Sequence, residues 1–342
     1  MCRSFLVFLF FAFLLVNGRK LTTEENNQNR KKCGVHFLGN EEKNQRSKRS
    51  YGGRKFEENE YPWTALLKDQ TSRCSGALIS QRHVLTAAHC MLEFDGDFRE
   101  RCDSNRSYSV VAVMKTPSAI SIYFGGNKTD CDDLEDCSLH KAAKLTVHNF
   151  DLCTSLNDLA LIELKENISE NVATPICMPD ENLELDNVLY AAGSGMDYGA
   201  PITLADRGRQ SRGQQVVAQR KYYLKESVVA QRKYYLKESL HQVVTMTFAK
   251  TILGGDSGGP LFQMDENNRH ILVGITSRGS SVRPKSDVGE NYPAYYVDVR
   301  AYLDWICKYS GVCPIEDDLS NEPPSDASNP TQKDHKKKTK SS

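Results

Sequence analysis

Ser257 lies in the run Gly255, Asp256, Ser257, Gly258, Gly259 and Pro260. Glycines on both sides of a hydroxyl permit a sharp turn and a close approach by a substrate. Backbone N–H groups in such a turn can point at a developing oxyanion, so the chemistry suggested is nucleophilic attack on a carbonyl. A glycine-rich turn with an incidental serine is the plainer alternative. The run also satisfies G-x-S-x-G, the nucleophile elbow of lipases and esterases, but in that fold the acid and the histidine follow the serine. Here the only histidine between Ser257 and the C-terminal tail is His270, beside Asn267, Asn268 and Arg269 in what reads as a surface hairpin tip.

A better base lies upstream. Leu85, Thr86, Ala87, Ala88, His89 and Cys90 end an apolar run on a histidine, whose neutral imidazole can take a serine's proton and return it to a leaving amine. His83, His140 and His148 read as core or exposed residues. Asp158 opens the run NDLALIEL, where a buried carboxylate would fix the imidazole tautomer and stabilise the imidazolium. Alone, an aspartate at a strand entrance is a common turn feature.

The elements that must hold these residues are short. His83 to Ala87, Ala119 to Phe124, Leu159 to Leu164 and Ile271 to Thr276 are apolar runs separated by Gly, Asn and Asp turns. That pattern predicts an all-β fold, a barrel or sandwich with few helices. Tyr302 to Tyr309 is the best helical stretch. The chain has 342 residues, 39% of them hydrophobic, which is ample for a core. Lys+Arg and Asp+Glu both number 44, and the basic residues are spread, so a nucleic-acid surface is not expected.

The ends have a different character. Residues 1–18 read as a signal peptide: Arg3, an apolar run from Phe5 to Val16, then Asn17 and Gly18. The run is too short for an unassisted membrane span, so no stable membrane anchor is expected and the protein is read as secreted and extracellular. Of 11 cysteines, loss of Cys2 with this segment leaves ten, an even number suited to pairing in an oxidising compartment. Asn105, Asn127 and Asn167 begin Asn-x-Ser/Thr sequons and are candidate glycosylation sites. Residues 19–49 read as a pro-segment closed by RSKR at Arg46 to Arg49, with a solvated linker as the alternative. Residues 313–342 are polar and are expected to be a disordered tail. Val216 to Ser227 is repeated without change at Val228 to Ser239, and only one copy is expected to occupy a barrel strand.

TAAHC, NDLALIEL and GDSGGP in that order resemble the trypsin/chymotrypsin family. The likeness covers nearly all of Ser50 to Cys307 and extends to Pro62-Trp63, PICMP around Cys177 and AYLDWI at Ala301 to Ile306. LTTEENNQNRKKCG is similar to the opening of a nematode-specific branch of these proteins. The resemblance implies two antiparallel six-stranded barrels, a short C-terminal helix and a protease domain over residues 50–312. It further implies His89, Asp158 and Ser257 as a catalytic triad, an acyl-enzyme on Ser257, and Gly255 and Ser257 as oxyanion donors. Ser277 would help to hold Asp158, and Cys74–Cys90 and Cys33–Cys177 would be disulfides, the second tethering the pro-segment. Neither cofactor nor metal is called for.

Departures from that pattern matter as much. In the family a new aliphatic N-terminus pairs with the aspartate before the nucleophile, here Asp256, yet cleavage after Arg49 would expose Ser50. Leu253 replaces a half-cystine of the specificity pocket. Thr251 at the pocket floor, with Arg278 and Ala294 where the family has a tryptophan and a glycine, suggests a small neutral primary residue rather than Lys or Arg, with tolerance of acidic neighbours, while Ser277 and Gly279 match the strand that lines the substrate cleft. Cys102, Cys131, Cys137, Cys153, Cys307 and Cys313 allow fifteen pairings. The leading expectation is a serine endopeptidase acting on protein or peptide substrates. The alternative is a catalytically weak or silent trypsin-like binding protein.

Overall fold

The computed structural model describes residues 20–35, 54–55, 60–94, 97–104, 112–124, 138–195, 215–221, 241–248, 252–279 and 291–314, with the backbone alone for 54–55, 99, 215–221, 247–248 and 291–292. Expectations for residues 1–18, Ser50, Asn105, Asn127, Cys131, Cys137, Thr251, the second repeat copy and the tail beyond 314 lie outside these residues.

In chain order the elements are α1 (Thr23–Lys32), β1 (Arg54–Lys55), β2 (Thr64–Lys68), β3 (Arg73–Ser80), β4 (His83–Thr86), β5 (Leu92–Glu93), α2 (Phe98–Ser104) and β6 (Val113–Met114). They continue with β7 (Ser121–Phe124), β8 (Ser138–Val147), β9 (Ala160–Leu164), β10 (Val188–Gly193), β11 (Gln215–Lys221) and β12 (Gln242–Phe248). The chain then forms β13 (Pro260–Met264), β14 (His270–Arg278), β15 (Asn291–Asp298) and α3 (Leu303–Ser310).

Two antiparallel barrels result. The first is closed in the order β2-β3-β4-β9-β8-β7, with β7 returning to β2. In the second, β11-β10-β13-β14-β15-β12 form a run of six strands whose ends meet where Arg220 and Lys221 of β11 pair with Met246 and Thr245 of β12. β1 adds to the outer edge of β11. Mutual closure removes the free edges that would otherwise invite pairing with other chains.

Local sequence explains the strand ends. Pro117 opens a 3-10 turn over Pro117–Ala119, so the strand expected from Ala119 begins at Ser121. β4 and β9 are buried along their whole length, which is why HVLT and ALIEL read as continuous apolar runs. Each large aliphatic side chain placed there contributes roughly 1.5–3 kcal/mol. The first copy of the repeat enters β11 as Val216–Lys221.

His270 departs from the surface position expected of it. The β13–β14 hairpin turns earlier, with Asp265 Oδ1 accepting from the N–H of Asn267 and Arg269 and Asn268 at φ 57°. His270 therefore opens β14, pairs with Met264 and is 5% exposed. Its ring packs 4.9 Å from Trp63 and 5.3 Å from Phe262, and its Nδ1 lies 3.2 Å from the Gly34 carbonyl. His83 is a core residue: its Nδ1 pairs with Ser80 Oγ at 2.8 Å, and burial, with Arg82 nearby, lowers its pKa to about 3.

Candidate active site

β4 ends at Thr86, and the one-turn 3-10 helix Ala88–Met91 that follows presents His89. Asp158 lies two residues before β9, the strand paired with β4, so hydrogen bonding between two neighbouring strands brings acid and base together. Asp158 is 1% exposed. Its Oδ1 accepts the backbone N–H of His89 at 2.9 Å, and its Oδ2 lies 2.8 Å from His89 Nδ1. An ionised carboxylate can only accept, so Nδ1 carries the proton and Nε2 keeps its lone pair. Ser277, near the end of β14, donates its hydroxyl to Asp158 Oδ2 at 2.7 Å and thereby ties the carboxylate to the second barrel.

Charge on His89 is favoured. Burial of the ring opposes protonation, but the Asp158 carboxylate outweighs it and holds the imidazole pKa above its ordinary 6.5. A general base works only when neutral, so kcat/KM is expected to fall as pH drops through a midpoint above 6.5. Hydrolysis of a peptide ester across pH 5–9 measures that acid limb. A midpoint at or below the ordinary imidazole value would contradict the Asp158 contact.

Ser257 sits in the turn between β12 and β13. Gly255 has φ 101° and Gly258 φ 83°, conformations that side chains rarely adopt. A methyl group at Gly258 would come within 2.1 Å of Thr86 Oγ1 and 2.3 Å of the Ser75 carbonyl oxygen, so the turn lies directly against the first barrel. Among the described residues the backbone N–H groups of Gly255 and Ser257 donate to no protein acceptor. No hydrogen bond joins Ser257 Oγ to the imidazole; bonds of this kind often tighten only when substrate is present.

Asp256 points away from Ser257. Its carboxylate accepts the N–H of Gly195 at 2.8 Å and of Leu253 at 2.9 Å. A methyl group at Gly195 would come within 2.2 Å of Asp256 Oδ1, so glycine is required for that approach.

One residue carries no signal in the sequence yet organises this turn. Ser75 of β3 is fully buried, its Oγ donates to the Gly255 carbonyl at 2.8 Å and accepts the Ser194 N–H at 2.8 Å, and its own N–H donates to the Ser257 carbonyl at 2.7 Å. Only its place after Cys74 could have drawn attention to it.

Around the cleft, Arg278 is exposed, its guanidinium 4.6 Å above the Tyr295 ring and its Nη1 3.3 Å from the Thr154 carbonyl. Gly279 faces Ile252: a methyl group there would lie 2.5 Å from the Ile252 carbonyl oxygen and 2.6 Å from its Cγ1. Ala294 is fully buried in the second barrel's core with Ile252 and Tyr296.

Disulfides join Cys33 to Cys177, Cys74 to Cys90, Cys102 to Cys153 and Cys307 to Cys313. The third fastens α2 to the loop just before Asp158. Cys74, His89 and Cys90 cluster closely enough to suggest metal ligation, but the two sulfurs are spent on each other. Asn167 is exposed, with its Oδ1 accepting from Arg82 Nε at 2.7 Å.

Two antiparallel barrels, with the His89–Asp158 pair of the first tied to the second through Ser277, define a chymotrypsin-like serine peptidase fold. A profile of the Trypsin family matches residues 50–306, and the chain belongs to that family of serine endopeptidases. It is similar to the proclotting enzyme of Tachypleus tridentatus, 26% identical over 81% of this chain and 68% of the relative. It also resembles the CLIP domain-containing serine protease B10 of Anopheles gambiae, 28% identical over 80% of this chain and 71% of the relative. Phenoloxidase-activating factor 3 of Holotrichia diomphalia is 29% identical over 75% and 70%.

Proposed function

We propose that this chain is a secreted endopeptidase, made as a zymogen and cut after Arg49, that hydrolyses protein substrates through an acyl-enzyme on Ser257. The observation that carries this reading is the Asp158 carboxylate. It is buried and receives His89 Nδ1, the His89 N–H and the Ser277 hydroxyl, so Nε2 remains the basic nitrogen.

In the first step Ser257 Oγ attacks the substrate carbonyl while His89 Nε2 takes its proton. The oxyanion that forms is met by the N–H groups of Gly255 and Ser257. Collapse breaks the C–N bond, with the proton passing from His89 to the leaving amine, and an ester remains on Ser257. Water then gives a proton to His89 and attacks the ester, and Ser257 recovers the proton as the acid leaves.

Ile252 against Gly279, with Ala294 buried beside them, supports a shallow neutral pocket that takes a small primary residue. Arg278 on the rim suits acidic neighbours. Disulfides that pair eight described cysteines support an extracellular setting. No described helix is long and apolar enough to cross a membrane. In this reading residues 1–18 are the signal peptide, 19–49 the tethered pro-segment, 50–312 the protease domain and 313–342 a polar tail, with glycans on Asn105, Asn127 and Asn167.

The test is covalent labelling. Protein cut after Arg49 is expected to react stoichiometrically with a fluorophosphonate, and a Ser257→Ala variant not at all. Absence of labelling after every form of processing would favour the binding-protein alternative.

A further inference from the structure

The motif LTTEENNQNRKKCG plays no part in the catalytic argument, yet it forms a built element. Thr22 and Glu25 make a reciprocal capping box that starts α1, and Glu24 with Lys32 suit the two ends of its dipole. The helix has no apolar stripe. It docks by hydrogen bonds instead.

Those bonds reach four separate parts of the molecule. At the C-terminal end, the Leu21 N–H donates to the Ser310 carbonyl at 2.8 Å. Asn26, 6% exposed, pairs its amide with both backbone groups of Cys313: Nδ2 donates to the carbonyl at 3.1 Å and Oδ1 accepts the N–H at 3.4 Å. In the first barrel, the Ile79 carbonyl of β3 accepts from Asn29 Nδ2 at 2.9 Å. On the link between barrels, the Gly34 N–H donates to the Pro175 carbonyl at 2.8 Å, and in the second barrel the His270 N–H donates to the Gly34 carbonyl at 2.9 Å.

Fit is close at both ends of the strap. Gly34 has φ 73°, and a methyl group on it would come within 2.6 Å of the His270 carbonyl oxygen and 2.9 Å of Cys177 Sγ. A methyl group on Gly311, the C-cap of α3 at φ 76°, would come within 2.4 Å of the Leu21 carbonyl oxygen. The Cys-Gly pair is thus a covalent bond followed by the residue that lets the chain pass over it.

The strap is remote from the cleft. It meets β14 at His270, whereas Ser277 is seven residues further along the same strand, roughly 23 Å away at about 3.3 Å per residue. A segment anchored there does not cover His89 or Ser257.

We propose that residues 20–34 are a noncovalent clamp holding the C-terminal end against both barrels, one that stays docked after the cut without the Cys33–Cys177 disulfide and does not inhibit. This rests on the reading that the chain is cut near Arg49, so the test makes the cut independently. A sequence-specific protease site replaces residues 46–49 in the full chain carrying Cys33→Ser and Cys177→Ser. After cleavage, the N-terminal peptide is expected to co-elute with the body on native size exclusion and to separate only in denaturant.

Adding Asn26→Ala and Asn29→Ala removes three part-buried side-chain hydrogen bonds to backbone groups and is expected to speed release at least about tenfold. Free elution of the peptide with both asparagines intact would overturn the proposal. So would faster fluorophosphonate labelling once the peptide is removed, which is what an inhibitor predicts. Should the cysteine variant fail to fold, hydrogen exchange on the disulfide-bonded chain replaces it. The amides of Gly34, His270 and Cys313 are expected to keep their protection after the cut, and tenfold faster exchange at all three contradicts the clamp. A natural chain that resists cutting at Arg49 would count against the zymogen reading and leave these results standing.

Discussion

Asp158→Asn is expected to lower kcat about 10⁴-fold while leaving KM and the fold nearly unchanged. The carboxylate accepts three hydrogen bonds, two from His89 and one from Ser277, and is 1% exposed. A carboxamide has the same shape but only one accepting oxygen. If that oxygen keeps the His89 N–H at the Oδ1 position, the NH2 group takes the Oδ2 position, faces Nδ1 and forces it to become an acceptor. The proton then moves to Nε2, where a base is needed. Loss of charge also removes the influence that raises the imidazole pKa, so residual activity should show its acid limb at lower pH. Stability falls by only about 1–3 kcal/mol, the scale of one imperfectly replaced buried hydrogen bond. Steady-state kinetics on a peptide ester, with thermal unfolding as the control for folding, decide the matter. Activity within tenfold of the natural protein would mean that Asp158 does not set the tautomer.

The His89–Asp158 contact was legible because its geometry is built from strand neighbours. TAAHC ends β4 and NDLALIEL opens into β9, and these two strands pair, so local sequence at two strand ends specifies one spatial contact. The all-β class was legible for a similar reason: β4 and β9, buried along their whole length, leave continuous apolar runs between polar turns, whereas the choice of two barrels came from the family resemblance. What the sequence concealed depends on contacts between distant segments. Ser75 gains its role from the Gly255 carbonyl and the Ser194 N–H, 180 and 119 residues away. His270 looked like a hairpin tip because Asn267, Asn268 and Arg269 precede it. The register that turns it inward is set by pairing with Met264 and by Trp63 behind it. The polar strap was hidden for a different reason. Its docking uses asparagine amides on backbone groups, which leave no hydrophobic periodicity to read.

Ser75→Ala is expected to slow fluorophosphonate labelling about ten- to hundredfold, and adding Ser50→Ile to restore much of the loss. The Ser75 hydroxyl satisfies the Gly255 carbonyl and the Ser194 N–H, which lie on two separate segments packed around the Ser257 turn. Each group left unpaired costs about 1–3 kcal/mol. That cost falls on the ordered form of the turn, and about 1.4 kcal/mol is tenfold in its population. In the proposed activation a new N-terminus would act on the same equilibrium through Asp256, whose carboxylate already receives the N–H groups of Gly195 and Leu253. Serine at position 50 brings the ammonium without an apolar anchor, and isoleucine supplies roughly 1.5–3 kcal/mol on burial, similar in size and opposite in sign. The two substitutions should therefore compensate in protein cut after Arg49, and the Ser50→Ile gain should be larger in the Ser75→Ala background, where the turn is less populated. Uncut protein provides the contrast, since isoleucine there has no free ammonium and should change nothing. Labelling of Ser75→Ala at the natural rate, despite a lower unfolding midpoint, would make Ser75 a purely structural residue. Failure of Ser50→Ile to raise labelling in either background would show that the N-terminus exposed at residue 50 does not order this turn.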